Sequence, residues 1–218
     1  MRQYDTVIFD MDGTLLNTLD DLCTATNYAL REMNMPERSL EEVRAFVGNG
    51  VRKLMLRAVP EECDEETFEK TFAKFKEYYT KHDNDSTHAY EGIVPLLREL
   101  KARGYALAIV SNKLDGAVKS LSQNYFEGIV EVAIGDQEGL RKKPEPDMVE
   151  AALKELGKTK EQAVYVGDSD VDLLTAKNSG LPCISVLWGF RDKDFLTAHG
   201  AQCFAETPAD ILISLEKL

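Results

Sequence analysis

The chain has 218 residues, of which 44% are hydrophobic and 29% charged, and its 38 acidic against 26 basic residues give a formal charge of −12. This length predicts one domain with a sizeable insertion, and the composition is typical of a globular protein. An acidic surface repels nucleic acids and anionic membranes, and no apolar run is long enough to cross a bilayer. Because a signal-peptide pattern is also absent, we expect a cytoplasmic protein that binds neither nucleic acid nor membrane.

The first predicted element is a buried strand, Val7-Ile8-Phe9, and the spacing of the apolar residues changes after it. From about residue 18 to 88 no convincing strand occurs, and apolar side chains follow helical spacing. They are Leu19, Leu22, Thr26, Ala29, Leu30 and Met33, and then an aromatic stripe of Phe68, Phe72, Phe75 and Tyr79. We interpret the stripe as helix core. We therefore predict a helical domain, residues 18–88, inserted into a larger domain of residues 1–17 and 89–218.

Strand-like and helix-like segments alternate from residue 92 onward. The apolar runs are Leu107–Val110, Val132–Ile134, Val164–Val166 and Ile184–Leu187, with a weaker one near Cys203-Phe204. Helix-period segments between them end at Gly104, Gly157 and Gly180, where glycine is expected to follow a helix. This alternation predicts an α/β fold, a doubly wound parallel sheet covered on both faces by helices.

Polar residues collect where three of these strands end. The first strand runs into Asp10-Met11-Asp12-Gly13-Thr14, the second into Ser111-Asn112-Lys113, and the fourth into Gly167-Asp168-Ser169-Asp170-Val171-Asp172. A single aspartate in such a place can be an ordinary helix N-cap. Parallel strands share one carboxyl edge, however, and ligands bind there, so the three segments together predict a functional site.

Clustered carboxylates at that edge would require a cation. Two carboxylates about 4 Å apart repel by about 4 kcal/mol at an effective dielectric of 20. Mg²⁺, which binds through a few carboxylates and a substrate phosphate, relieves this repulsion. A calcium loop starting at Asp168 is excluded, because its sixth position is Leu173 where the turn needs glycine.

Other kinds of catalytic centre find little support in the sequence. The four cysteines are scattered without a metal-ligand or disulfide pattern, and no histidine stands beside a candidate nucleophile. A zinc site, a disulfide framework and a Ser-His-Asp or Cys-His mechanism are therefore not expected.

Four short segments carry a resemblance to a known family. They are Asp10-x-Asp12-Gly13-Thr14-Leu15, Ser111-Asn112, Lys143-Pro144-x-Pro146 and Gly167-Asp168-x-x-x-Asp172. In order and separation they resemble the four motifs of the haloacid dehalogenase superfamily, over nearly the whole chain. The chain is similar to its phosphoglycolate phosphatase-like branch, in which an all-helical cap follows the first motif of a Rossmann-like core. Dehalogenases of the family lack a carboxylate at the position of Asp12, which argues against that activity.

The resemblance implies a role for each motif residue. Asp10 would be the nucleophile that forms an aspartyl-phosphate, and Asp12 the general acid and then the general base. Ser111, Asn112 and Lys143 would bind the transferred phosphoryl group. Asp10 and Asp168 would hold Mg²⁺, with the backbone carbonyl of Asp12 facing it and Asp172 in support.

The substrate-binding prediction concerns a turn between two predicted helices of the cap. It contains Gly48, Asn49, Gly50 and Arg52, and in similar phosphatases a cap arginine there meets the anionic end of the substrate. A plain interhelix turn with solvent-exposed basic residues is the alternative interpretation. We expect a small phosphorylated metabolite, with 2-phosphoglycolate as the first candidate.

Several alternative functions stay open for this chain. The same core would serve a sugar phosphomutase or a pyrophosphatase, and a phosphorylatable signalling domain is the non-enzyme alternative. A monomer or a homodimer is expected.

Overall fold

The computed structural model describes residues 3–218. The strands are β1 (Thr6–Phe9), β2 (Leu16–Asn17), β3 (His88–Ala89), β4 (Ala106–Leu114), β5 (Val132–Asp136), β6 (Ala163–Gly167), β7 (Cys183–Val186) and β8 (Phe204–Ala205). The helices are α1 (Leu19–Glu32), α2 (Leu40–Phe46), α3 (Val51–Ala58), α4 (Glu65–His82), α5 (Ile93–Ala102), α6 (Asp115–Phe126), α7 (Asp147–Leu156), α8 (Asp170–Ser179), α9 (Lys193–Ala198) and α10 (Pro208–Lys217), with a short 3-10 turn at Lys160–Gln162.

The chain divides into two units. The sheet unit combines the chain up to Leu16 with Ala89–Leu218, and the helical unit is Asn17–His88. Within residues 3–218, no helix has both the length and the apolar character that crossing a bilayer requires.

A six-stranded sheet organises the sheet unit, in the order β5-β4-β1-β6-β7-β8. Every neighbouring pair is parallel, which confirms the predicted α/β fold. On the central strand β1, Val7 and Phe9 belong to one hydrophobic cluster and Ile8 to the other. Because both faces of β1 are covered, its sequence is a continuous apolar run and not an alternating one.

Helices cover both faces of this sheet. Residues of α5, α6 and α10 join the cluster around Phe9, whereas residues of α7 and α8 join the cluster around Ile8. The predicted glycine ends are confirmed at α7 and α8, because Gly157 (φ 65°) and Gly180 (φ 73°) cap these helices in the left-handed conformation. Helix α6 was not predicted; it begins at Asp115, directly after β4.

The helical unit contains α1 to α4, and α4 carries the aromatic stripe. Phe68, Phe72, Phe75 and Tyr79 are all buried, and successive rings stack with centroids 6.0, 6.4 and 5.2 Å apart. The stripe is therefore helix core, as predicted.

The two ends of the helical unit are tied together. Strands β2 and β3 pair in a two-stranded sheet. The buried carboxylate of Asp21 accepts hydrogen bonds from the backbone N–H of Ser86 (2.9 Å) and of Thr87 (2.8 Å) and from the Thr87 hydroxyl (2.7 Å). In the sheet unit, the Tyr90 N–H donates to the Leu15 carbonyl at 3.2 Å.

Candidate active site

Asp10 lies at the carboxyl end of the central strand. It directly follows β1, and its N–H donates to the Val166 carbonyl of β6 at 2.9 Å. Since β1 pairs with β4 on one side and with β6 on the other, Asp10 stands between the segment that carries Ser111 and the segment that carries Asp168. The parallel sheet therefore brings the three motif segments to one edge.

Three buried carboxylates meet at this edge. One oxygen from each of Asp10, Asp168 and Asp172 lies within 4.8 Å of the other two. Burial, reinforced by the negative charge of Asp172, raises the pKa of Asp10 well above its usual range and the pKa of Asp168 to about 7. A hard dication with oxygen ligands would remove this penalty, so the donor set fits Mg²⁺.

Lys143 supplies a positive charge to these carboxylates. Its Nζ lies 2.8 Å from Asp10 Oδ1, 2.9 Å from Asp172 Oδ1 and 3.1 Å from the Tyr165 hydroxyl oxygen, so each of its three N–H groups has a partner. Burial alone would lower the pKa of Lys143, but Asp10 and Asp172 outweigh it and hold that pKa well above its usual value. The lysine is therefore an ammonium fixed beside Asp10.

The side chain of Asn112 places Lys143 in this position. Asn112 Oδ1 accepts from the Lys143 backbone N–H at 2.9 Å, and its Nδ2 donates to the Lys143 carbonyl at 3.1 Å. This amide was predicted to bind the phosphoryl group, and in the structure both of its polar atoms contact the Lys143 backbone. Ser111 is buried beside it on β4, and its hydroxyl oxygen accepts from the Lys113 N–H at 3.3 Å.

Asp172 is saturated with hydrogen bonds. Its Oδ2 accepts from the N–H of Asp168 (3.2 Å) and from the N–H and hydroxyl of Ser169 (3.1 and 2.6 Å). Its Oδ1 accepts from Lys143 and lies 3.2 Å from the Tyr165 hydroxyl. These five contacts exceed the roughly four lone-pair positions of a carboxylate. Asp172 therefore suits the support of Asp168 and Lys143 better than direct metal ligation.

Asp168 retains accepting capacity on both oxygens. Its Oδ1 accepts from the Thr14 hydroxyl at 3.1 Å, and its Oδ2 accepts from the Phe190 N–H at 2.7 Å. Two glycines make room for it, because a Cβ at Gly13 would lie 2.4 Å from Asp168 Oδ2 and one at Gly189 would lie 2.3 Å from Asp168 Cβ. Gly13 also has a φ of +82°, which side chains rarely adopt.

The two oxygens of Asp10 differ in their surroundings. Oδ1 accepts from the Met11 N–H at 2.7 Å and from Lys143, which fixes the rotamer of the carboxylate. Within residues 3–218, no hydrogen-bond donor contacts Oδ2. A carboxylate held by one oxygen with the other left unbonded is arranged for nucleophilic attack.

Comparison with known proteins identifies the family. The family profile described as haloacid dehalogenase-like hydrolase matches residues 7–186. This chain belongs to that family.

Relatives of this chain among the haloacid dehalogenase-like hydrolases include proteins named as phosphatases. The chain is 32% identical to a phosphoglycolate phosphatase of Pseudomonas putida, over 97% of this chain and 77% of that protein. It is 30% identical to a pyrophosphatase of Listeria monocytogenes, over 95% of this chain and 94% of that protein. The crystal structure of a Lactobacillus delbrueckii protein assigned as a phosphoglycolate phosphatase superposes with a TM-score of 0.93 at 34% identity, covering 98% of both chains. The chain is thus a phosphoric monoester hydrolase that resembles the phosphoglycolate phosphatases.

Asp12, the second aspartate of the first family motif, pairs with a different lysine from Asp10. The group of three carboxylates found in the described part of the chain does not include it. Its Oδ1 lies instead 3.2 Å from the Nζ of Lys113.

The predicted substrate-binding residues of this hydrolase belong to the helical unit. Gly50 (φ 82°) is the N-cap of α3, and Asn49 Oδ1 accepts from the Arg57 guanidinium at 2.7 Å. Gly48 also has a positive φ, of 126°. Arg52 forms a two-point ion pair with Glu69 and lies over the Phe68 and Phe72 rings, 4.9 and 5.4 Å from their centroids. Arg52 therefore already has an acidic partner inside the helical unit.

Three contacts of the site involve groups to which the sequence reasoning gave no role. They are the Lys113 ammonium, the Tyr165 hydroxyl and the Phe190 N–H. Tyr165 alone carries a signal, because a tyrosine inside an otherwise apolar buried strand needs a partner for its hydroxyl. The other two are recognised only once strands distant in sequence are brought together.

Proposed function

We propose that this hydrolase is a Mg²⁺-dependent phosphatase that transfers the phosphoryl group of a small ester first to Asp10 and then to water. The observation that carries the proposal is the state of Asp10. One of its oxygens is fixed by the Met11 N–H and Lys143, and the other has no donor among the described residues. Buried Asp168 lies in the same carboxylate group.

The reaction would proceed in two displacements. Oδ2 of Asp10 forms a bond to phosphorus while the bond from phosphorus to the leaving oxygen breaks, and that oxygen takes a proton from Asp12. Asp12, now a carboxylate, then takes a proton from water as the water oxygen bonds to phosphorus. The bond from phosphorus to Oδ2 of Asp10 breaks, which releases inorganic phosphate and restores the carboxylate.

The remaining site residues would hold the transferring group. The Ser111 hydroxyl would donate to a phosphoryl oxygen, and Lys143 would balance the charge that develops there. Asn112 would act through the Lys143 backbone that it holds. Asp10 and Asp168 would bind Mg²⁺ together with the Asp12 carbonyl, with Asp172 in support. When bound, the ion supplies positive charge that offsets the charge of the phosphoryl oxygens.

For the substrate we propose 2-phosphoglycolate, with the helical unit acting as the predicted cap of residues 18–88 over a core of 1–17 and 89–218. Two relatives at 32% identity that are named phosphoglycolate phosphatases support this choice. Arg52 would meet the substrate carboxylate after exchanging its partner Glu69 for it. The relative named a pyrophosphatase makes inorganic pyrophosphate the second candidate, since it is also a small polyanion.

A steady-state screen with Mg²⁺ tests the proposal. The panel contains 2-phosphoglycolate, pyrophosphate, β-glucose 1-phosphate and p-nitrophenyl phosphate, and phosphate release is followed in each case. We expect the highest kcat/KM on 2-phosphoglycolate. Preference for pyrophosphate would replace the substrate, conversion of the sugar phosphate to its isomer would indicate a mutase, and no turnover of any ester would refute the phosphatase.

A further inference from the structure

Lys113 is a second buried lysine of the site. Its side chain is only 2% exposed, and its Nζ lies 3.2 Å from Oδ1 of Asp12, a side chain that is 17% exposed. Lysine is rarely buried to this degree unless it is paired. The two lysines therefore contact different carboxylates. Lys143 contacts Asp10 and Asp172, and Lys113 contacts Asp12.

Two features fix the backbone at Lys113, the strand that continues through it and a hydrogen bond to Ser111. Strand β4 continues through this residue to Leu114, and its register against β5 shifts between Val110 and Leu114. The Lys113 N–H donates to the Ser111 hydroxyl oxygen at 3.3 Å. The sequence predicted that the strand ends before Ser111, so the extension to Leu114 is a correction; after the register shift, Leu114 pairs with Asp136 of β5.

Strand β5 approaches this segment very closely. A Cβ at Gly135 would lie 2.7 Å from the Lys113 carbonyl oxygen and 2.4 Å from Asp115 Cα. The Gly135 N–H donates to Asp115 Oδ1 at 2.9 Å. Because residue 135 is glycine, β5 packs directly against the main chain around Lys113. This packing fixes the backbone position from which the Lys113 side chain extends.

We propose that Lys113 is a positioning residue that holds the Asp12 carboxyl group where it exchanges protons with the leaving group and with water. This inference rests on the proposed function. Proton transfer requires the carboxyl group within about 3 Å of the reacting oxygen, and a misplacement of about 1 Å can cost about 10²-fold in rate. The ion pair limits the rotation of Asp12 and thereby keeps it at that distance.

The leaving group of the substrate separates this role from a structural one. An alkoxide leaving group needs a proton as its bond to phosphorus breaks, whereas p-nitrophenolate leaves with little help. For Lys113→Met we expect kcat/KM on 2-phosphoglycolate, or on the best alkyl phosphate of the screen, to fall at least about 10-fold more than on p-nitrophenyl phosphate. Lys119→Met is the matched control, because it removes an exposed lysine that pairs with Asp115 at 2.7 Å, and both kcat/KM values should stay unchanged.

A second comparison uses the Asp12→Asn background. If Lys113 acts through Asp12, adding Lys113→Met to Asp12→Asn should change kcat/KM on p-nitrophenyl phosphate less than 2-fold. Lys113→Gln, which keeps a polar side chain, carries both comparisons should the methionine variant misfold. Equal losses on the two substrates, or a full further loss in the Asp12→Asn background, would overturn the inference while leaving the phosphatase intact. Absence of ester hydrolysis by the wild type would overturn both.

Discussion

Replacing Asp168 by asparagine should stabilise the metal-free protein. Burial, with the charge of Asp172, raises the pKa of Asp168 from 3.8 to about 7. At pH 8 the carboxylate is ionised in both the folded and the unfolded chain, and the folded state carries the cost of that shift, about 4 kcal/mol. Asparagine has the same shape and can still accept from the Phe190 N–H, so Asp168→Asn should recover much of this amount.

The gain should depend on pH in a defined direction. A folded-state pKa above the unfolded value means that the destabilisation is complete above pH 7 and is relieved as the pH falls from 7 towards 4. At pH 5.5 the cost is about 2 kcal/mol, so the advantage of Asp168→Asn should be about half of that at pH 8. Mg²⁺ should stabilise the wild type and leave the variant almost unaffected, because binding to the folded state alone raises its stability.

Thermal melting with a chelator and then with excess Mg²⁺ measures these effects. At about 2–4 °C per kcal/mol, a full gain raises the melting temperature at pH 8 by about 8–16 °C. Asp170→Asn is the control, since it removes a partly exposed carboxylate two residues away, in the first turn of α8, where a negative charge stabilises the helix. A lower melting temperature for metal-free Asp168→Asn at pH 8 would refute the reasoning, and so would equal gains at pH 8 and pH 5.5.

Three further predictions concern turnover. Asp10→Asn should abolish it, because the amide is a poor nucleophile; near-native phosphate release would contradict the covalent route. Tyr165→Phe removes the hydroxyl 3.1 Å from Lys143 Nζ and should lower kcat by about 10-fold with a small change in KM, whereas an unchanged kcat would show that Asp10 and Asp172 suffice to hold the lysine. Arg52→Ala should depress kcat/KM for 2-phosphoglycolate about 10- to 150-fold more than for p-nitrophenyl phosphate, with Lys53→Ala as control. Equal losses on both esters would assign Arg52 to the folding of the helical unit, where it pairs with Glu69.

The sequence predicts the frame of this molecule well because the signals involved are local. Apolar runs such as Val7-Ile8-Phe9 indicate buried strands, and Gly157 and Gly180 mark the ends of helices from their own conformational freedom. Parallel topology then places the residues after Phe9 and Gly167 at one edge without further information.

The partners of individual side chains could not be predicted in the same way. Asp12 and Lys113 are separated by 101 positions, and no pattern in either segment indicates that they pair. The contact between the Asn112 amide and the Lys143 backbone could not be predicted for a related reason, because the two residues are 31 positions apart. Arg52 was predicted from the resemblance to phosphatases that have a cap arginine in this stretch, whereas its pairing with Glu69 depends on how α3 and α4 pack.

Because the two ends of the helical unit lie side by side, another segment can replace this unit. The Tyr90 N–H bonds to the Leu15 carbonyl inside the sheet unit, and the Asp21 carboxylate joins the incoming chain of the helical unit to its outgoing chain at Thr87. Because the two ends of the insertion lie side by side, it enters the sheet unit as a closed loop. The entropic cost of closing such a loop grows slowly with the number of residues inserted. A chimera could therefore replace Asn17–His88 by another helical segment, or by a short turn, while the β1 register against β4 and β6 stays as it is.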